Sequence, residues 1–265
     1  MDAGHILQTD ARGVAHLWLD RPSLHNAFDD ALIAALTDEL GRLARDPGVR
    51  VLVLGGRGKS FSAGADLNWM KRMAGYTEAE NRKDADALAA LMRTLDRFPK
   101  PTLARVQGPA YGGGVGLVAC CDIAIAARGA TFALSEARLG LIPAVISPYV
   151  VAAIGERAAR RYFLTAEVFD AGEAHRLGLV HEIHDEVALD VAVEAMVHRL
   201  LAAGPQAQAE CKSLIARVAR GPVDDAMVAD TAARIARVRV STEGREGIAA
   251  FLSKRKPGWV SGGGT

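Results

Sequence analysis

The segment from Thr102 to Ala126 reads TLARVQGPAYGGGVGLVACCDIAIA, and its pattern changes twice. Thr102 to Val106 predicts a buried strand, three consecutive glycines open an apolar helix from Gly112 to about Ala119, and Asp122 to Ala126 predicts a second strand. Strand, helix and strand in such close succession point to an α/β core with right-handed crossovers. Working outward, Val51 to Leu54 is another buried strand, ending in Gly55-Gly56. Before it, Asp29 to Ala44 carries Leu32, Leu36, Leu40 and Leu43 at helical spacing and stops at Asp46-Pro47-Gly48. After it, Glu78 to Phe98 places Leu88, Leu91, Met92 and Leu95 on one helical face, closed by Pro99 and Pro101. At the start, His5 to Thr9 and Val14 to Leu19 predict a hairpin around Gly13.

From Ser135 the pattern is helical, with short segments broken by Pro143 and Pro148 and an Arg-rich helix from Glu156 to Leu164. Beyond Pro205 it is almost all helix: Gln206 to Ala219, Val223 to Val240 and Glu243 to Leu252. These patterns divide the chain into an α/β core over 1–204, a helical region over 205–256 and a Gly-rich, flexible tail over 257–265.

Half of the 265 residues are apolar and 24% are charged, the balance of a globule with a large core. Lys and Arg total 32 against 31 Asp and Glu, a net charge of +1, so no global field recruits nucleic acid or an anionic membrane. No apolar run reaches the roughly 18 residues of a membrane span, and the opening MDAGHILQTD lacks a signal-peptide pattern; the expected location is cytoplasmic. Cys120, Cys121 and Cys211 form no disulfide framework and no C-x-x-C pair, and the adjacent two read as packing. His181 and His184 stand near Asp185 in an expected surface turn without a third ligand cluster, so no metal is expected. Gly58-Lys59-Ser60 fails as a P-loop because Val53 occupies the required glycine position, and Gly112 onward fails as a dinucleotide fingerprint at Leu117. Ser253 to Lys256 reads as a solvated charge run.

Two segments carry chemistry. Phe61-Ser62-Ala63-Gly64-Ala65-Asp66-Leu67 follows a strand and leads into a short helix; small residues there let an extended ligand lie against exposed N–H groups. A plain turn with an N-cap aspartate would use the same residues. In Tyr111-Gly112-Gly113-Gly114-Val115-Gly116 the glycines sit at the first turn of a helix, where unpaired N–H groups and the helix dipole face outward. Close helix-to-strand packing would demand small residues too. Two separated backbone donors converging on one point form an oxyanion hole, the device needed when a thioester carbonyl becomes an enolate.

With these segments in view, the sequence resembles the crotonase superfamily, the enoyl-CoA hydratases and isomerases. The resemblance is carried by Leu19-Asp20-Arg21-Pro22 with Asn26-Ala27, Phe61 to Leu67, Gly112 to Gly114 with Cys121-Asp122-Ile123, Phe132 to Pro143, Thr165 to Val180, and Ala250 to Pro257. It implies an α/β spiral of β-β-α units with a C-terminal helical region that builds homotrimers or homohexamers. It also implies an acyl-CoA thioester substrate and no further cofactor, coenzyme A being part of the substrate. Carried over residue by residue, the backbone N–H groups of Ala63 and Gly113 are the oxyanion donors. His25, Ala27, Ala63, Gly64, Asp66 and Leu67 form the CoA-binding segment, joined by Tyr111 and Gly114. Many members carry Lys or Arg where this chain has His25, and Lys254 is implied as a phosphate contact from a neighbouring subunit. Typical hydratases of the family use two glutamates: the second is present as Glu136, while Gly116 stands at the first position, a pattern shared with several isomerases. With Asn68-Trp69-Met70 and the run Ala144 to Tyr149, the chain looks most like hydratases of branched, carboxylated enoyl-CoAs such as 3-methylglutaconyl-CoA and isohexenylglutaconyl-CoA. Trp69, Met70 and Tyr149 would then line the acyl pocket and Arg72 or Arg138 would meet a substrate carboxylate. Gly116 would leave an open apolar slot for acyl bulk, and the Ala144 N–H would hold water. The alternatives are a Δ3,Δ2-enoyl-CoA isomerase and a catalytically silent RNA-binding or scaffold member, the latter disfavoured by the net charge.

Overall fold

The structure, a computed structural model, describes residues 4–219 and 221–260. Within them the chain divides into two compact units, one of residues 4–98 and 102–194, the other of residues 99–101 and 195–260 apart from 220.

In the first unit, β1 (His5–Thr9) and β2 (Val14–Leu19) form the expected hairpin. Parallel to β2 follow β3 (Val51–Gly56), β4 (Thr102–Val106), β6 (Ile123–Ala127) and β9 (Glu182–His184), giving a six-stranded sheet in the order β1-β2-β3-β4-β6-β9. Every residue of β3 is buried, as expected of a central parallel strand. The helix α1 (Asp30–Arg45) starts where Asp29 accepts the Leu32 N–H at 2.8 Å and buries Leu32, Ile33, Leu36, Leu40 and Leu43. A capping box between Thr77 and Glu80 opens α3 (Glu78–Asp96), which buries Leu91, Met92 and Leu95. The short α2 (Leu67–Met73) precedes it, and α4 (Gly113–Cys120) is apolar on all sides and almost wholly buried.

A second, smaller ladder positions the site. The strands β5 (Ala110–Tyr111), β7 (Thr131–Ala133) and β8 (Phe169–Asp170) pair with one another, and single parallel bridges extend this ladder from Ala110 to Ser62 and from Ala65 to Phe28. Each rung follows a strand of the large sheet and precedes a helix: β4, β5 and α4 form one β-β-α unit, and β6, β7 and α5 (Ser147–Thr165) the next. This is the expected spiral. The rungs are too short for any hydrophobic period, so the sequence reading did not include them.

Three expectations are corrected here. Pro148 lies in the first turn of α5, where a missing N–H costs no helical bond, and the break falls instead at Gly155 (φ 76°, ψ 156°). The segment around His181 and His184 is the edge strand β9 rather than a turn; His181 Nδ1 accepts the Ala124 N–H at 3.1 Å and His184 Nε2 lies 2.9 Å from Glu182 Oε2. After α6 (Ala171–Leu177), the division between the units falls inside α7 (Leu189–Ala202), ahead of the expected 204/205, because Leu189, Ala192 and Val193 pack with the first unit and a continuous helix carries no sequence punctuation.

The second unit holds the remainder of α7 with α8 (Pro205–Val218), α9 (Asp225–Val240) and α10 (Thr242–Leu252). Its tail is held as far as Val260: the Gly258 N–H reaches Glu246 Oε1 at 2.9 Å and the Trp259 indole reaches the Ala202 carbonyl at 3.1 Å. The flexible tail expected from Pro257 is therefore ordered over 257–260, and 261–265 lie outside the described residues. Among the described residues no helix is long and apolar enough to cross a membrane.

Candidate active site

Three successive rungs of the small ladder deliver three chemical groups to one place. The segment Ser62–Ala65 runs between Phe28 on one edge and Ala110–Tyr111 on the other. On the Phe28 edge, Phe28 N–H donates to Gly64 O and Asp66 N–H to Phe28 O, both at 2.7 Å. In such a parallel bridge the N–H of the residue between the two bonds points to the opposite edge. The Ala65 N–H therefore faces the Tyr111–Gly113 side, and among the described residues no acceptor takes it. Ala63, the expected donor, is committed: its N–H donates to His25 O at 2.9 Å. An unbroken extended chain would turn both N–H groups to the same edge; Gly64 at φ 92° breaks that alternation, so they face opposite edges.

The second rung ends at Gly112, whose φ of 51° and ψ of −117° suit glycine alone. Gly113 follows as the first residue of α4, so its N–H has no acceptor within its own helix. An ideal Cβ on Gly113 would lie 2.7 Å from the Phe28 ring, and one on Gly114 2.6 Å from Ser62 O, so both positions require glycine for close packing.

The third rung leads into a 3-10 turn, Ser135–Leu139, that carries Glu136. A Cβ on Gly112 would stand 3.1 Å from Glu136 Oε1 and 4.0 Å from Gly64 Cα, so the three segments meet at that point. Glu136 Oε2 is buried without a hydrogen-bond partner. Burial pushes the Glu136 carboxyl above its ordinary range, against a smaller opposing effect of its own backbone N–H. A half-buried carboxyl with a raised pKa beside two unpaired N–H donors can move a proton next to a stabilised oxyanion.

The remaining expected residues are placed as follows. His25 (φ 52°) directs Nδ1 to Ser60 Oγ at 2.9 Å, and Ala27 is buried. Asp66 is buried; it caps α2 through the Asn68 and Trp69 N–H groups at 2.8 and 3.2 Å and meets Arg21 at 3.4 Å. Leu67 is exposed and Met70 is half-buried on the same helix. Tyr111 pairs its hydroxyl with Thr131 at 3.0 Å. Trp69 is buried, with its indole N–H on Asp84 Oδ2 at 3.0 Å. The Tyr149 phenol is pushed upward by burial first and then by Cys120 and Asp96, which places it toward the end of α3. Lys254 lies in the second unit with a left-handed backbone (φ 51°).

Two expectations fail on packing or pairing, and a third residue is already paired. Gly116 leaves no open slot: a Cβ there would lie 2.3 Å from Ile146 Cγ2, 2.9 Å from Ile146 Cβ and 3.2 Å from Met92 Cε, so Ile146 fills the space. The Ala144 N–H is turned back onto Ile142 O at 2.8 Å and is not free for water. Arg72 already faces Asp30 at 2.6 Å in an exposed pair that a substrate carboxylate would have to displace, whereas Arg138 is exposed and has no ion pair among the described residues. Sequence reasoning missed Ala65 and Ile146; Gly64, a residue free to take a positive φ between Ala63 and Ala65, was the available signal for the first.

Comparison with known proteins identifies the family. Residues 9–262 match the family model described as enoyl-CoA hydratase/isomerase. The crystal structure of an enoyl-CoA hydratase from Shewanella pealeana is 48% identical and superposes with a TM-score of 0.94 over 97% of this chain and 96% of that one. A crotonyl-CoA hydratase from Syntrophomonas wolfei is 32% identical over 97% of both chains. A 2,3-dehydroadipyl-CoA hydratase from Escherichia coli is 33% identical over 91% of this chain and 92% of its own. A full-length match of this kind, on a chain whose small ladder brings two backbone donors and one glutamate together, places the protein in the enoyl-CoA hydratase/isomerase family.

Proposed function

We propose that this enzyme adds water to, or removes it from, a 2-enoyl-CoA thioester by a single-carboxylate route. The thioester oxygen takes the N–H groups of Ala65 and Gly113, which gain strength as enolate charge develops. The Glu136 carboxylate accepts a proton from water as the hydroxyl oxygen bonds to C3, and that same proton is returned to C2. The observation carrying the reading is the Glu136 carboxyl beside Gly112, whose Oε2 is buried without a hydrogen-bond partner. Ile146 occupies the space at Gly116 where a second carboxylate would stand, so one residue handles the proton in both halves of the reaction.

The acyl group we assign is branched or carboxylated. Arg138, two residues from Glu136 and without an acidic partner among the described residues, is the cation for a substrate carboxylate. The Escherichia coli relative is named for a dehydroadipyl thioester, whose acyl chain ends in a carboxylate. The second unit is the assembly region: Phe251 and Val223 are 82% and 87% exposed, more than a solvated surface favours, and trimers or hexamers would cover them. A second reading, isomerisation of 3-enoyl to 2-enoyl thioesters, is favoured by the absence of a carboxylate at Gly116, since one Glu suffices to move a proton between two carbons.

The test is a panel of crotonyl-CoA, 3-methylglutaconyl-CoA and a 3-enoyl-CoA, followed by the absorbance of the conjugated thioester. Loss of conjugation with the 2-enoyl esters, greatest for the carboxylated one and weakened by Arg138→Ala, supports the reading. Gain of conjugation with the 3-enoyl ester, and no change with the others, makes the enzyme an isomerase.

A further inference from the structure

The helix α2 begins immediately after the Ala65–Asp66 pair, whose backbone the Phe28 bridge holds through Gly64 O and the Asp66 N–H, so the seating of α2 shares with that bridge in fixing the direction of the Ala65 N–H. Its deepest anchor is a single side chain. Trp69 is the buried residue of this helix, 5% exposed, while Leu67 two residues earlier is 73% exposed. The backbone N–H of Trp69 is capped by Asp66 Oδ1 and its indole N–H ends on Asp84 Oδ2 at 3.0 Å, in the second turn of α3. Its remaining ties are the Asp66 N–H on Phe28 O at 2.7 Å, the partly buried Met73 against the core, the Arg72–Asp30 pair, whose side chains are both largely exposed, and the long 3.4 Å contact from Arg21 to Asp66. Exposed ion pairs hold little, whereas a buried indole N–H is strongly driven to keep its acceptor.

We infer that Asp84 is a positioning residue for the oxyanion hole: by holding the Trp69 indole it locks α2 onto α3 and so aims the Ala65 N–H at the reacting carbonyl oxygen. The inference rests on the reading of Ala65 as a donor. Asp84 touches no reacting atom; it acts through Trp69, the cap at Asp66 and one peptide link to Ala65. Misaiming a donor rather than deleting it should cost less than the 10²–10³-fold of a lost oxyanion donor, about tenfold in kcat. KM should move little, because the bond influences the donor that strengthens in the transition state.

The experiment uses the full-length enzyme with Asp84→Leu, which removes the acceptor, Trp69→Phe, which removes the donor and keeps a ring, and Asp84→Asn, which keeps an acceptor oxygen. Turnover is measured on a 2-enoyl-CoA. In parallel, the enolate band of bound acetoacetyl-CoA reports oxyanion stabilisation without turnover. Asp84→Leu and Trp69→Phe should each lose about tenfold in kcat and shift bound acetoacetyl-CoA towards its keto form, the double variant should be no worse than either single one, and Asp84→Asn should stay near wild type. Wild-type kcat and a wild-type enolate band in Trp69→Phe would overturn the inference, whether or not Asp84→Leu folds. If wild-type enzyme itself neither turns over the ester nor enolises acetoacetyl-CoA, the oxyanion reading fails, and the inference with it; if wild type does both and the variants match it, the inference alone fails.

Discussion

Replacing Gly116 by alanine tests whether the family's missing carboxylate has left a hole or a filled core. Two effects compete. Gly116 lies inside α4, where alanine gains about 1 kcal/mol over glycine through backbone entropy. Against this, the new Cβ would sit 2.3 Å from Ile146 Cγ2 and 2.9 Å from Ile146 Cβ. A rotamer change can clear the first contact; only a backbone shift clears the second. Both residues are buried, so the overpacking cost belongs in the upper part of the usual range, about 1–3 kcal/mol. The net expectation is a loss of about 1–2 kcal/mol, or roughly 2–8 °C in Tm at about 2–4 °C per kcal/mol for a chain of this size. The assay is thermal unfolding at fixed protein concentration, because an assembling protein melts in a concentration-dependent way. An Ile146→Ala background removes Cγ2 but keeps the Cβ at 2.9 Å, so it should relieve only part of the cost of Gly116→Ala, a coupling that a double-mutant cycle isolates. A rise in Tm for Gly116→Ala alone would mean that the helix-propensity gain is unopposed and that the slot is open.

Glu136→Gln should raise stability at neutral pH. Burial lifts the folded-state pKa of Glu136 above its unfolded value of about 4.3, so the native state binds the extra proton between the two; stability falls as pH rises through that window and the penalty persists above it. The variant should therefore melt higher than wild type at pH 8, with the difference vanishing near pH 4, and equal melting at both would show that the carboxyl is not strained. Gly112→Ala should cut turnover at least about tenfold, because the side chain is forced to a backbone conformation that suits glycine and would press on Glu136 Oε1 from 3.1 Å; normal turnover would mean the carboxyl does not work from this position. Light scattering at micromolar concentration should give trimers or hexamers, and Phe251→Asp with Val223→Asp should shift the distribution towards smaller species; a wild-type monomer contradicts the assembly role of the second unit.

The large sheet and the long helices were legible because their side chains repeat over enough residues to show a period: Val51–Gly56 as an unbroken apolar run, Asp30–Arg45 by its leucines and its Asp29 cap. The small ladder was not, since Ala110–Tyr111 and Phe169–Asp170 are two residues each and owe their pairing to tertiary geometry. The same limit governed the site. Glu136 and Gly113 were recoverable from motif position, but the choice between Ala63 and Ala65 depends on which edge each N–H faces, and that is set by the bridge to Phe28. Gly116 was read as a missing carboxylate and as a vacancy, and the vacancy is filled. What fills it, Ile146, comes from a segment thirty residues downstream whose approach no local pattern encodes.

The central claim is that one carboxylate, Glu136, carries the proton in both halves of the reaction. It is tested most directly by the pH profile of kcat/KM for wild type and Glu136→Gln on the same 2-enoyl-CoA, with the Kd of a saturated acyl-CoA measured alongside. Wild type should show an acid limb that rises with pH above the ordinary glutamate value, because burial has raised that group. The variant should lose at least ~10²-fold in kcat, show no such limb, and keep the Kd within about twofold. Turnover retained within a few-fold, with the acid limb unchanged, would contradict the account and assign the proton to another group.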